Sequence, residues 1–274
     1  MGKWEIMELQ EQAYLYDLYL VPGWREFFDR MIDEEVKLPR EGKFLDLECG
    51  SGGYAIDLGL KGGEKVEVVG MDADPELIAL AVGKAQIKKA SQISFQTGTV
   101  AGSQLADESF DLIIADESLS PWRPVAFSFA DLARLAKKGG TVVLKLLTRG
   151  SFDEVFSIYW EALHDLDLVD YSPGLERLIN ARMTVTEAEH LAINAGLRHV
   201  HSVIRRESLD YPTADAFFEA PLIKMVFLDS WMSILPDDGT RRRVRQKMGE
   251  IIDRERQDQD FDCSIKATLI VGKK

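Results

Sequence analysis

A doubly wound α/β fold with a mostly parallel sheet is predicted by three features of this 274-residue chain. Short apolar runs alternate with amphipathic helical stretches between about residues 43 and 147. The first run, Phe44-Leu45-Asp46-Leu47-Glu48-Cys49-Gly50-Ser51-Gly52-Gly53, carries an acid and breaks into glycines just before helix-compatible residues. The second, Val66-Glu67-Val68-Val69-Gly70-Met71, ends on Asp72. Glycines at a strand-to-helix turn tolerate positive φ and let a ligand approach the helix N-terminus. An acid at the tip of the second strand can accept hydrogen bonds from both hydroxyls of a ribose. Together they predict a site for an adenosine-containing ligand.

The elements follow in order. Strand one is predicted near 43–48, with a helix from about 52 to 60 that Gly62-Gly63 stops, and strand two near 65–71. Asp74 caps the next helix, Pro75 takes its first position, and Leu77, Ile78, Ala81 and Ala85 line one face. A short strand three near 92–96 and strand four at about 110–115 come next. A helix near 124–137 is expected to end at Gly139-Gly140 and feed strand five, Thr141 to Leu147. Ser151 with Glu154 reads as a capping box for a helix bearing Phe152, Val155, Phe156, Tyr159, Leu163 and Leu166. Thr186 with Glu189 reads as a second capping box, for a helix ending at Gly196. Leu197 to Arg205 and Phe261 to Gly272 read as the final strands.

Two insertions interrupt this core, at about 151–182 and 208–258. The second holds Phe217, Phe218, Trp231 and a helix carrying Val244, Met248, Ile251 and Ile252. Both follow strands whose C-terminal ends face the ligand crevice, so they are the expected substrate walls, enclosing a mainly apolar cavity.

Gly50-Ser51-Gly52-Gly53-Tyr54-Ala55 fits the dinucleotide fingerprint with alanine in third place, which keeps a nicotinamide-dependent oxidoreductase open as an alternative. Asp46 speaks against it, because a dinucleotide fold usually has an apolar residue there. Four motifs in order instead resemble the class I S-adenosylmethionine-dependent methyltransferases, closest to the small-molecule, quinone-biosynthesis type. They are Leu45 to Gly52, Gly70-Met71-Asp72-Ala73-Asp74-Pro75, Asp107 to Ile114, and Leu135 to Leu144.

The resemblance implies a seven-stranded sheet with an antiparallel last strand beside the fifth, S-adenosylmethionine as cofactor, and methyl transfer to a small-molecule acceptor. It implies a methyltransferase domain over 41–274 and a helical lid over 1–40, where Tyr14, Tyr16, Tyr19 and Trp24 either cover the cofactor or pack on the sheet. By the same resemblance Asp46, Glu48, Gly50, Gly52, Asp72, Ala73, Thr99, Val100 and Asp116 are expected at the cofactor. Two positions depart from the family pattern. Glu48 stands where a glycine is usual, and Gly98-Thr99-Val100 replaces the Gly-Asp pair that contacts adenine. A carboxylate at Glu48 would attract the ligand's ammonium or sulfonium and repel its carboxylate, so a non-catalytic ligand-binding protein is a further alternative.

Methyl transfer needs no metal, and none is expected. A general base is needed only where the acceptor must lose a proton, and Glu117, just beyond strand four, is the candidate. The adjacent Asp116 and Glu117 can equally cap the next segment through Ser118 and Ser120. His199 and His201 alternate on a strand and would share a face, but no motif surrounds them. No Gly-x-Ser-x-Gly elbow or His-Glu-x-x-His helix is present.

A formal net charge of −13 argues against a nucleic-acid partner. No apolar run approaches the length of a membrane span and no signal-peptide pattern opens the chain, which points to a soluble, cytoplasmic protein. Cys49 and Cys263 are expected as buried small hydrophobes. The run Arg241-Arg242-Arg243-Val244-Arg245-Gln246-Lys247 reads as a solvated helix face, with attraction of an anionic substrate or partner as the alternative.

Overall fold

The computed structural model describes residues 9–120, 127–255 and 260–274. Seven strands form one sheet: β1 (Gly42–Leu47), β2 (Val66–Asp72), β3 (Ile93–Thr97), β4 (Phe110–Asp116), β5 (Ala136–Leu147), β6 (Arg198–Tyr211) and β7 (Phe261–Lys273). Their order is β3-β2-β1-β4-β5-β7-β6. The first five are parallel, and β7 lies antiparallel between β5 and β6. The classic dinucleotide order is 3-2-1-4-5-6. The reversed seventh strand sets this sheet apart from it.

Alternation along the strands sorts the sheet into two apolar layers. Leu45, Leu47, Val69, Met71, Ile113, Ala115, Val142 and Leu144 face one side with α5 (Phe129–Leu135) and α8 (Val185–Asn194). Phe44, Val68, Leu112, Ile114, Val143 and Leu147 face the other. There they meet α3 (Gly53–Gly62), α4 (Pro75–Ile87), α6 (Asp153–Asp165) and an N-terminal helical segment. That segment runs from α1 (Leu9–Leu15) through a π-helical stretch, Tyr16–Arg25, into α2 (Glu26–Glu35). Pro22 lies within the π-helical stretch, where its missing N–H removes a normal helical bond.

Asp74 caps α4, its Oδ1 accepting from the N–H groups of Glu76 and Leu77, and Leu77, Ile78, Ala81 and Ala85 are its buried face, as the spacing predicts. Elsewhere local chemistry differs from expectation. The second capping box belongs to Thr184 and Glu187, not to Thr186 and Glu189. Ser151 and Glu154 form no box at all. Ser151 Oγ donates to Thr148 O and accepts from Lys266 N, and the Glu154 carboxylate accepts from Ser264 N and Oγ, so both tie the start of α6 to β7. The helix before β5 ends at Leu135, short of Gly139-Gly140, because β5 starts at Ala136 opposite Phe110 and then slips register before Thr141. Gly139 turns that irregularity at φ +81°. Part of the expected 124–137 helix, up to residue 126, lies outside the described residues, as do residues 1–8 of the expected lid and 256–258 of the second insertion.

The insertions are helical. α6 and α7 (Ser172–Ala181) form the first. Because β6 continues to Tyr211, the second begins later than expected, with α9 (Ala214–Glu219), α10 (Leu228–Met232) and α11 (Asp238–Glu255). Val244, Met248, Ile251 and Ile252 of α11 are buried. Phe152, Phe217, Phe227, Trp231 and Phe261 join in an edge-to-face and stacked cluster. Cys49 and Cys263 are buried thiols, and neither forms a disulfide. No described helix is long and apolar enough to cross a membrane.

Candidate functional site

The glycine loop after β1 is held open by backbone that only glycine adopts easily. Gly50 and Gly52 have φ of +58° and +76°. A Cβ on Gly52 would come within 2.7 Å of Ala81 and the Phe95 ring. Asp72 anchors this loop: its Oδ2 accepts the Gly50 N–H at 2.8 Å, and its Oδ1 accepts the Asp74 N–H at 2.9 Å. The carboxylate is fully buried. Glu48 also adopts a left-handed conformation, φ +55°, which the usual glycine would take without strain.

Beyond the tip of β2 a cavity of about 620 Å³ opens, lined by Ala73, Gly98, Thr99, Gln104 and Leu105. Val100 does not reach it and instead packs in the apolar layer. The other end of the glycine loop is covered by the N-terminal segment. Tyr16, buried, rests on Gly50, where an added Cβ would meet its ring carbons at 2.9 Å. Asp17 accepts from Ser51 Oγ at 2.5 Å and pairs with Lys84. Trp24 Nε1 donates to Ser118 Oγ at 3.0 Å, and Arg25 donates to the Glu48 carbonyl at 2.8 Å. Tyr14 and Tyr19 are exposed, so only half of the aromatic set serves this contact.

Beneath that cover lies a cluster of buried charges. Asp46, Asp116 and Lys145 share the face of Phe44, Ile114 and Val143, and Asp116 stands opposite Lys145 in the β4–β5 register. Lys145 Nζ lies 2.5 Å from Asp29 and 3.7 Å from Asp116, and over the Tyr54 ring. Arg25 lies 3.4 Å from Asp116. Asp116 Oδ1 accepts from the Ser118 N–H and hydroxyl, the capping role read from the sequence. Burial works to raise the Asp116 carboxyl, but Arg25, Lys145 and the Ser118 bonds outweigh it and hold it below the ordinary range. Asp46 fares differently. It is fully buried, and neither oxygen has a hydrogen-bond partner among the described residues. Burial, offset in part by Lys145 and Arg25, pushes it from 3.8 to about 6.

A carboxyl whose folded value exceeds its unfolded one binds its proton more tightly in the native state. Stability therefore falls as pH rises from about 4 through about 6, by roughly 3 kcal/mol for Asp46. Urea unfolding of wild type and Asp46→Asn should show the variant gaining on wild type by about 2 kcal/mol of this between pH 4.5 and 7.5. A difference that stays constant with pH would mean that Asp46 does not titrate in this window.

Glu117 is half-buried, and burial followed by the neighbouring Asp116 raises its carboxyl. It lines two neighbouring cavities together with Met183. One, about 120 Å³, is closed by Leu147 of β5 and by Phe156, Arg182 and Trp231 from the two insertions. The other, about 500 Å³ and more open, is lined by Phe129 and Leu191 among others. His199 and His201 do not share a face, because a β-bulge places His199 at φ +52°, and all four histidines are exposed.

Residues 39–162 match the family model of a methyltransferase domain, over the same strands that build this site. Over these residues the chain is similar to a methyltransferase domain. A demethylmenaquinone methyltransferase of Deinococcus radiodurans is 30% identical to it over 142 residues, which is 51% of this chain and 56% of that protein. The ubiquinone/menaquinone biosynthesis C-methyltransferase UbiE of Geotalea daltonii is 26% identical over 123 residues, 44% of this chain and 51% of that one. The chain spans about half the length of these curated relatives. The solved structure of YcgJ from Bacillus subtilis superposes with a TM-score of 0.56 at 19% identity, covering 91% of this chain and 98% of YcgJ. That likeness extends the methyltransferase fold past residue 162, into the second half of the sheet.

Sequence reading missed Arg25, Asp29 and Lys145 in the buried charge cluster and Arg182 in the smaller cavity. Lys145 had a legible signal: a lysine inside an apolar strand, in the same alternation phase as the strand acids.

Proposed function

We propose that this protein binds S-adenosylmethionine along the C-terminal ends of β1, β2 and β4 and transfers its methyl group to a small-molecule acceptor held by the two insertions. The observation that carries the reading is the pair formed by the glycine loop and the buried Asp46 carboxylate, a polar cradle with two unpartnered oxygens inside the stretch similar to a methyltransferase domain. The residues fit such a ligand. The cavity by Ala73 and Thr99 has room for the adenine, the Asp72 carboxylate ends β2 where the ribose would lie, and Gly50 and Gly52 leave the approach free of side chains. Arg25, Asp46, Glu48 and Asp116 would meet the charged methionine end.

Residues 9–35 act as a lid in this reading. Tyr16 covers Gly50, so it must swing away for the ligand to enter. The bound cofactor supplies a methyl group on an already activated sulfonium, for which in-line placement of the acceptor provides much of the acceleration. Glu117 faces the acceptor cavities and takes a proton where the acceptor must lose one. The same reading makes the chain a cytoplasmic enzyme whose partners are small molecules, with no nucleic acid among them.

Titration with S-adenosylhomocysteine tests the proposal, and Glu48→Gly refines it. A glycine there relieves left-handed strain worth about 1–2 kcal/mol. It should weaken ligand binding several-fold, because a charge-assisted contact to the ammonium is lost. Tighter binding by the variant would favour the non-catalytic alternative, with Glu48 occupying the methionine subsite. No binding by wild type sinks the proposal.

A further inference from the structure

The smaller cavity between the insertions contains a cation whose pairing is incomplete. Arg182, just after α7, lies over the rings of Phe152, Phe156 and Phe227 at 5.5, 6.0 and 5.8 Å. Among the described residues no carboxylate lies within ion-pairing distance of its guanidinium, and no side-chain or backbone acceptor receives its N–H groups. Burial lowers its pKa to about 10, with Asp153 the only acid acting against that. Ring faces attract a cation but give its five N–H donors no acceptor, and a desolvated guanidinium is costly until an anion meets it. The cavity it lines is apolar along Leu147, Leu178, Phe156 and Trp231, with the Glu117 carboxyl and the Ser120 and Ser230 hydroxyls as its other polar groups.

We propose that this cavity takes an acceptor with a flat apolar body and a carboxylate, and that Arg182 binds the carboxylate through its planar fork. This rests on the methyl-transfer reading and narrows its substrate class, replacing the expectation of a wholly apolar acceptor. Arg182 is then a specificity residue. Its aromatic surroundings hold the guanidinium in place, so little side-chain freedom is lost when the anion arrives. Ser120 and Ser230 on the same cavity wall offer hydroxyls beside the charged group.

Benzoate and benzamide, matched in size and differing in charge, probe this directly. Calorimetry on the full chain, with and without S-adenosylhomocysteine, should show benzoate binding at least tenfold more tightly than benzamide. Arg182→Gln should abolish that preference while leaving affinity for S-adenosylhomocysteine within about twofold, and Arg182→Lys should keep part of it. Equal affinity of the two probes for wild type, a preference that survives Arg182→Gln, or no binding of either probe overturns the proposal. Failure of wild type to bind S-adenosylhomocysteine would sink the methyl-transfer reading and leave the benzoate result standing by itself.

Discussion

Replacing Lys145 with methionine is expected to destabilise the protein by about 3–5 kcal/mol at neutral pH. Methionine fills nearly the same volume, so the loss would come from charge and not from a cavity. The cluster balances two cations, Arg25 and Lys145, against the three carboxylates of Asp29, Asp46 and Asp116. Removing Lys145 leaves Asp29 without the partner it touches at 2.5 Å and leaves two buried carboxylates and the part-buried Asp29 facing one arginine. Neutralising the cluster further should recover much of the loss, so Lys145→Met with Asp29→Asn and Asp46→Asn is expected to be more stable than the single variant. Urea midpoints at pH 7.5 check both statements. A loss under about 1 kcal/mol would mean that water reaches these groups and that their burial is not what couples them.

Asp72→Ala is expected to weaken binding of S-adenosylhomocysteine by tenfold or more, and the structure adds a second consequence. The carboxylate is the acceptor for two backbone N–H groups, one at Gly50 and one at Asp74. Its removal leaves buried donors unsatisfied at about 1–3 kcal/mol each. The glycine loop should then lose stability as well as affinity, and the two effects separate by experiment. Urea unfolding without ligand reports the anchor, and calorimetry reports the site. Asp72→Asn, which keeps one carbonyl oxygen, should fall between alanine and wild type in both. Unchanged affinity in Asp72→Ala would place the adenosine site elsewhere.

Much of the sheet was legible because alternation, glycine turns and caps are local signals. Asp74 with Pro75 fixed the start of α4, and the glycine loop fixed the end of β1. The misreadings share a cause. Ser151 and Glu154 have the spacing of a capping box, yet Lys266 and Ser264 compete for both side chains from a strand more than 100 residues away. Thr186 lost to Thr184 because two hydroxyl residues two positions apart offer equivalent local bonds, and packing of Ala188 and Ala192 chose the phase. At the site, the glycine loop and strand acids could be read from spacing, but Arg25 and Arg182 could not. Each arrives from a separate helical segment, and nothing local in the sequence says which strand end that segment will cover.

On the proposed reading, the contacts of Tyr16, Asp17, Trp24 and Arg25 with the glycine loop compete with the ligand. A chain that must first break them binds with an affinity divided by the fraction of molecules already open. Each 1.4 kcal/mol by which closure is favoured raises tenfold the ligand concentration needed for half-filling. With the segment acting as the proposed lid, it would set an operating threshold for the protein, tunable by substitutions such as Asp17→Asn that touch neither the adenosine cavity nor the acceptor cavity. Two chains with identical pockets and different N-terminal helices would fill at different cofactor levels.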